Sequence, residues 1–407
     1  MAKKTSGAFD ISNLNDFLSD GVSKNGGLLS EKESVPNVFI STGIHSLNAL
    51  LSGRIIGGGI PDDRFIGIGG ESGTGKTFLA LNICRHAQKE GYFIIYIDSE
   101  GNIKRNTTDA FGVDASMFRL ETIRVVEDFK VYMAKLTNKL ESLKDAGIAI
   151  PKTMIVLDSL GNLASRKEIA DAETGEHKAD MTRAKQLKSI FRIVTAQLAD
   201  LGIPLVATNH TYMTQEMYPR EIFSGGTGAI YNASIILMLS KAKLKTGEED
   251  DLDLGQSGIV VTAKTQKNRM AKPKKVKFEI SFTGGANPFK GLDYWCTEEN
   301  FKQIGVAKGK MVLDKSTGEE KFQAGGNNWC IRHLGKTVPG KHLHTSLVFT
   351  EEVLKAMDPI IHAYFAYGTT EEKDETERKL AELQGQMEED DAGYGMEIDD
   401  IDATTLF

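Results

Sequence analysis

Cysteine is scarce: Cys84, Cys296 and Cys330 are the three in 407 residues, spaced too widely and irregularly for a disulfide framework or a CxxC metal pair. Reduced thiols suit a cytosolic protein. Cys330 with His342 and His344 follows no zinc-ligand spacing, so a metal site of that kind is set aside. Long apolar runs are also missing, since none approaches the ~18 residues that a membrane span requires. The start, Met1-Ala2-Lys3-Lys4, leads into polar residues without the apolar stretch of a secretory signal. A cytoplasmic chain without a membrane partner is expected.

A basic balance is absent too, and the formal net charge is −7. Its distribution matters more than its size. Residues 371–407 hold 14 acidic and 3 basic side chains, a net of −11, which leaves +4 for residues 1–370. The acidity is therefore a property of the tail, which is too charged and too poor in apolar residues to fold by itself.

What remains is an ordinary globular composition, 40% apolar and 26% charged, long enough for one large α/β core with smaller attachments. Residues 1–37 are polar apart from an amphipathic candidate helix with Phe9, Ile11, Leu14, Phe17 and Leu18. Packing on its own domain and docking on a neighbouring subunit are both open to it. Across residues 38–287, short β-rich runs alternate with helical ones, the pattern of a doubly wound, mostly parallel sheet. Strands are expected at 64–69, 93–97, 154–157, 205–208, 235–239 and 258–263. In such a sheet the ligand crevice lies at the carboxyl ends of the strands. Residues 288–370, with both tryptophans, read as a small C-terminal lobe without a catalytic pattern.

Gly70-Glu71-Ser72-Gly73-Thr74-Gly75-Lys76-Thr77 matches the eight-residue P-loop pattern in full, after an expected strand and before a helix with Leu79, Ile83 and Ala87 on one face. Such a loop wraps phosphates in backbone N–H groups at a helix N-terminus; Lys76 reaches the β/γ oxygens and the Thr77 hydroxyl serves Mg²⁺. ATP and Mg²⁺ are the implied ligands. The strand at 154–157 ends in Asp158, the second carboxylate that P-loop ATPases use to order the metal. The strand at 93–97 ends in Asp98-Ser99-Glu100, and Glu100 is the candidate for polarising the attacking water; a solvated loop glutamate is the plainer alternative.

Ser41-Thr42-Gly43, the loop 57–61, the P-loop, Asp98-Ser99-Glu100 and Asp158-Ser159-Leu160 stand in the order found in RecA-type recombinases. The stretches Gly161-Asn162-Leu163-Ala164-Ser165, Asp180-Met181-Thr182-Arg183-Ala184-Lys185, Asn209-His210-Thr211-Tyr212, Thr214-Gln215-Glu216-Met217 and Gly225-Gly226-Thr227-Gly228 resemble the phage UvsX branch in particular. The resemblance covers about residues 38–290. It implies a RecA-like ATPase core and DNA strand exchange by a helical homo-oligomeric filament on single-stranded DNA, paired with homologous double-stranded DNA. It also implies a single-strand-binding protein and a recombination mediator as partners, in a host bacterial cytoplasm if the chain is phage-encoded. By the same resemblance Glu100 is the catalytic glutamate, His210 senses the γ-phosphate, and Lys267 and Arg269 reach the nucleotide of the adjacent subunit. Where bacterial RecA has an aromatic stacked on adenine, the region of Thr107 has none, which leaves the base-contacting residues open.

Two connections at the crevice side, 161–181 and 211–228, are longer than the usual loop. After the first, Arg183, Lys185, Lys188 and Arg192 recur at near-helical spacing, a cationic stripe able to meet phosphates; a merely solvated helix face is the other reading. The second carries Tyr212, Met213, Met217, Tyr218 and Phe223 and closes on Gly225 and Gly226. Such groups stack on or separate bases without reading sequence. For the tail, competition with DNA for a basic surface, docking of a partner through Leu406-Phe407, and plain solubilisation all remain.

Overall fold

The computed structural model describes residues 38–174, 182–213, 221–223, 227–245, 256–317, 319–368 and 378. The chain runs β1 (Phe39–Ile40), α1 (His45–Ser52), β2 (Ile60–Pro61), β3 (Phe65–Gly70), α2 (Lys76–Lys89), β4 (Phe93–Asp98), α3 (Arg105–Ala110), β5 (Phe118–Thr122), α4 (Val126–Asp145) and β6 (Thr153–Asp158). It continues through α5 (Arg166–Thr174), α6 (Thr182–Leu201), β7 (Leu205–Met213), β8 (Glu221–Phe223), α7 (Thr227–Asn232), β9 (Ile235–Lys245), β10 (Gln256–Asn268), β11 (Lys275–Ser281) and β12 (Gly285–Ala286). The last elements are α8 (Phe301–Ile304), β13 (Val306–Leu313), β14 (Glu320–Ile331), β15 (Lys336–Pro339) and α9 (Glu351–Phe365).

The central sheet has the order β12-β11-β10-β9-β3-β7-β6-β4-β5. From β9 to β5 neighbouring strands are parallel, whereas β10, β11 and β12 add on as an antiparallel edge. Both faces are covered, which explains strands that are apolar at successive positions rather than at alternate ones. The pleat then sorts the side chains. Ile66, Ile68, Ile94, Tyr96, Met154 and Val156 enter one cluster with α1 and α2; Phe65, Ile95, Ile97, Ile155 and Leu157 enter the other with α4 and α6. Helix α6 meets its side of the sheet through Leu187, Ile190, Phe191, Val194 and Leu198, a single stripe at helical period.

The C-terminal segment divides between two cores. Val353, Leu354, Met357, Ile361 and Phe365 of α9, with Leu292, Trp295 and Phe349, belong to the same cluster as the sheet's first face. The Asp358 carboxylate accepts the backbone N–H of Ile55 at 2.8 Å, bolting α9 to the loop after α1. Helix α9 begins at Thr350, whose hydroxyl accepts from the Val353 N–H, with Glu351 and Glu352 in its first turn. The antiparallel sheet β13-β14-β15 has a small cluster of its own, Phe301, Ala307 and Cys330 with Phe322.

Two sequence expectations are revised. The strand expected at 205–208 continues to Met213, and residues 211–213 pair antiparallel with β8, so the second long connection starts as a hairpin. The first connection contains the helix α5.

Candidate nucleotide and DNA site

Strand β3 delivers Gly70 to the carboxyl edge of the sheet, where the chain turns through Ser72 and Gly73 into α2. Gly73 and Gly75 have φ of 73° and 87°, the left-handed region where a Cβ is strained, so the loop's curvature depends on them. No side chain caps the N-terminus of α2, so the N–H groups of its first turn stay aimed at the cradle. The Lys76 ammonium folds into the loop and donates to the carbonyls of Gly70 and Glu71 at 2.9 and 2.8 Å. Burial lowers its pKa; the carboxylates of Asp158 and Glu100 oppose that shift, and Lys241 adds to it. Lys241 is a site residue that sequence reasoning missed: its ammonium donates to the Ser72 carbonyl at 2.8 Å. The only local signal was a lysine soon after an expected strand.

Asp158 ends β6, and its side chain is nearly enclosed. One oxygen accepts from Thr77 Oγ1 at 2.8 Å and from the Tyr96 hydroxyl at 2.7 Å; the other accepts from Thr208 Oγ1. The P-loop threonine and the strand-end carboxylate, 81 positions apart, are thus in direct contact. Burial first, and then Asp158, raise the Tyr96 phenol well above its ordinary value, so it stays a donor.

Glu100 is held from three sides. Asp98 accepts the backbone N–H groups of Glu100, Gly101 and Ile103, which shapes the turn after β4. Ser159 Oγ donates to Glu100 Oε1 at 2.8 Å and Asn102 Nδ2 donates to Oε2 at 2.8 Å. His210 Nε2 stands 3.4 Å from Oε1. The turn itself is latched to β6, where Ser99 Oγ donates to the Ser159 carbonyl at 2.7 Å and accepts from the Ser159 N–H at 2.9 Å. His210 is placed by β7, which pairs it with Gly70.

Lys267 and Arg269 lie elsewhere. Residue 268, at the end of β10, pairs with Ile235, and Ile235 pairs with Ile66 at the start of β3. The two cations are therefore at the opposite end of the sheet from the glycine cradle of their own chain. Lys267 donates to the carbonyls of Ile230 and Tyr231 at 2.9 Å each. Burial and the neighbouring Arg269 lower its pKa.

Among the residues expected to meet DNA, the structure separates three groups. Lys185, Lys188 and Arg192 are exposed on α6, and Tyr212 is 54% exposed on the hairpin. Arg183 is spent inside the protein: its guanidinium donates to the carbonyls of Leu163, Leu160 and Gly161 at 2.6, 3.1 and 2.8 Å, fixing the start of the first long connection. Phe223 corrects the sequence reading, because it is fully buried in the second core cluster. A Cβ at Gly69 would stand 2.9 Å from its ring, so Phe223 is an anchor of the hairpin rather than a surface for bases. The backbone of Met213 is in β7; Gly225, Gly226, Met217 and Tyr218 lie outside the described residues.

This arrangement defines a P-loop nucleoside-triphosphatase core with its strand-end carboxylates on adjacent strands of a mostly parallel sheet. Comparison with known proteins narrows the class. The family described as the RecA N-terminal domain matches residues 24–287. A "Recombination and repair protein" of Enterobacteria phage T4 is 32% identical over 285 residues, 69% of each chain. The protein RecA of Wolinella succinogenes is 30% identical over 262 residues, 63% of this chain and 69% of its own. RecA of Gloeothece citriformis is 25% identical over 344 residues, 82% and 86% of the two chains. The chain belongs to the RecA family, and within it is of the phage UvsX type. Among the described residues no helix is long and apolar enough to cross a membrane.

Proposed function

We propose that this chain works as an ATP-driven DNA strand-exchange recombinase whose hydrolytic site is completed only between subunits of a helical filament on single-stranded DNA. One observation carries the reading. The glycine cradle and the pair Lys267 and Arg269 sit at opposite ends of one sheet, separated by the length of β3, roughly 13 Å at strand rise. Neither cation reaches its own cradle, and a head-to-tail neighbour brings them to it. Contacts of that kind repeat into open helices when they do not close into rings.

Within a protomer, Gly70, Glu71, Ser72, Gly73, Thr74, Gly75, Lys76 and Thr77 hold the triphosphate of ATP. Thr77 and Asp158, in direct contact at 2.8 Å, offer the oxygen donors that suit Mg²⁺. That ion supplies charge neutralisation across the β and γ phosphates. Glu100, oriented by Ser159 and Asn102, takes the proton of the attacking water, while His210 reads the γ-phosphate from the strand beside the cradle. Since β7 carries His210 straight into the hairpin with Tyr212 and Met213, triphosphate binding and DNA grip are coupled in both directions.

DNA is met by Lys185, Lys188 and Arg192 on α6 and by Tyr212 and Met213, with Gly225 and Gly226 as hinge; Arg183 supports them through the loop that it ties down. Residues 38–287 carry these activities, and 288–370 and the acidic 371–407 are accessories. Single-stranded and double-stranded DNA are substrates, a single-strand-binding protein and a recombination mediator are partners, and the cytoplasm, that of a host bacterium if the chain is phage-encoded, is the workplace.

Electron microscopy of the purified protein with single-stranded DNA and a non-hydrolysable ATP analogue tests the reading. Extended helical filaments are expected, and ADP shortens or abolishes them. Closed rings, or DNA affinity equal with the analogue and ADP at fixed salt, would refute it.

A further inference from the structure

The Asp158 carboxylate is gripped from the strands on both sides of its own. Strand β6 lies between β4 and β7, and each neighbour sends one hydroxyl to it: Tyr96 of β4 donates to Oδ2 at 2.7 Å, and Thr208 of β7 donates to Oδ1. Both donors are fully buried, and the Tyr96 ring stacks on Phe118, 5.3 Å between centroids. An ionised carboxylate has about four acceptor positions. With Thr77 Oγ1 also on Oδ2 at 2.8 Å, three of them are filled by hydroxyls from three different elements. Asp98, which pairs with Asp158 across β4 and β6, is instead bound by the backbone N–H groups of its own turn. Of the two acids that stand side by side, Asp98 shapes a turn and Asp158 faces α2 through Thr77.

We infer that Tyr96 and Thr208 are positioning residues for the nucleotide reaction: together they fix the Asp158 carboxylate, and through it the Thr77 hydroxyl, in the orientation that serves Mg²⁺. The inference rests on the P-loop reading above and deepens it. The oxygens of Thr77 and Asp158 fit a hard cation, but neither side chain is rigid by itself. An aspartate carboxylate turns about its last torsion, whose preferences are broad. One hydroxyl donor on each oxygen, supplied from opposite sides, removes that freedom. Tyr96 stays protonated, since burial first and then Asp158 raise its phenol well above the ordinary value, so it serves only as a donor to the carboxylate. Thr77 in turn gives its proton to Asp158, which leaves the lone pairs of its oxygen turned away from the carboxylate and free for a cation. Hydrogen-bond partners behind a metal ligand typically account for roughly 10–100-fold in metal affinity. A packing role makes a different demand. Phe fills the place of Tyr96 and Val fills the place of Thr208, whereas the clamp needs the hydroxyls themselves.

The test uses the full chain and isothermal titration of a non-hydrolysable ATP analogue, at graded free Mg²⁺ and in EDTA, with urea denaturation to verify folding. Tyr96→Phe and Thr208→Val each raise the Mg²⁺ concentration for half-maximal tightening by about tenfold or more, and the affinity in EDTA stays at the wild-type value because the cradle is intact. Thr208→Ser, which keeps the hydroxyl and loses only a methyl group, keeps the wild-type Mg²⁺ requirement. Should Thr208→Val not fold, Tyr96→Phe and Thr208→Ser carry the test. A Mg²⁺ requirement unchanged by loss of either hydroxyl overturns the clamp. So does a Thr208→Ser chain as impaired as Thr208→Val, because the methyl group and not the hydroxyl would then matter. A wild-type chain that binds the analogue in EDTA and gains nothing from Mg²⁺ overturns the metal role of Thr77 and Asp158 and this inference with it. A wild-type chain that binds no analogue at all overturns the P-loop reading on which both rest.

Discussion

His210 Nε2 lies 3.4 Å from Glu100 Oε1, so the residue that reaches out of β7 beside the P-loop touches the residue that would activate water. Two strands that are not neighbours in sequence converge here, because β7 and β4 flank β6 in the sheet. The contact joins the nucleotide end of the site to the hairpin that begins at Thr211, where Thr211 Oγ1 donates to Glu221 at 2.6 Å.

Replacing Glu100 by Gln keeps the shape and one accepting oxygen, which can take the hydrogen bond from Ser159 or from Asn102 but not both, and removes the proton acceptor. DNA-stimulated phosphate release is expected to fall by about 10²–10⁴-fold, the usual worth of a positioned base. ATP-dependent binding of single-stranded DNA persists. Steady-state turnover and fluorescence anisotropy measure the two quantities, and turnover that stays at the wild-type rate removes Glu100 from the chemistry.

The proposed action of Lys267 and Arg269 on a neighbouring subunit predicts that damaged subunits rescue each other. Arg269→Ala protomers retain a complete cradle, and Glu100→Gln protomers retain both cations; each alone is inactive. An equimolar mixture places an intact cradle against an intact cation pair at about a quarter of head-to-tail junctions, and ATPase should recover to about that fraction. A mixture as inactive as its components would put Arg269 outside the shared site.

Phe223 and Tyr212 stand on the same hairpin with opposite exposure. Phe223→Ala empties a fully buried site and should destabilise the protein by about 3–5 kcal/mol in urea denaturation. Tyr212→Ala, at a 54% exposed position, should change stability by less than about 0.5 kcal/mol. It should nonetheless weaken single-stranded DNA binding several-fold, by the loss of a stacking face. The reverse pattern would exchange their roles.

Acid should loosen the packing of α2 through His86. Burial, then Lys89, Arg85 and His45, push its pKa down from 6.5 to about 4. The unfolded chain takes up this proton near 6.5 and the folded one resists it to about 4, so stability is lost as pH falls through that window and the slope ends below it. Urea midpoints at pH 7 and pH 5 should differ less in His86→Gln than in the wild type. A difference of the same size in both would assign the pH dependence to other groups.

The amino-acid order by itself determined whatever a few consecutive residues can encode. Eight positions from Gly70 to Thr77 dictate their own backbone and helix start, so the phosphate cradle was legible without any neighbour. Apolar runs ending in Asp98-Ser99-Glu100 and Asp158 marked strand ends, and strand ends face the crevice in any doubly wound sheet. Tertiary structure alone decided which of the remaining side chains face solvent, ligand or core. Phe223 and Tyr212 are both aromatic residues in one polar-flanked segment, and only the pairing of β8 with β7 sends one ring under Gly69 and leaves the other outside. Arg183 continues the helical spacing of Lys185, Lys188 and Arg192, yet three carbonyls around Leu160 consume it. Lys241, Phe111 and Phe282 come from three distant places in the chain and meet beside Gly73 because sheet order, not sequence distance, sets neighbours. Periodicity reports the environment of a local element; the partner that each group finds across the fold depends on long-range packing that no short window contains.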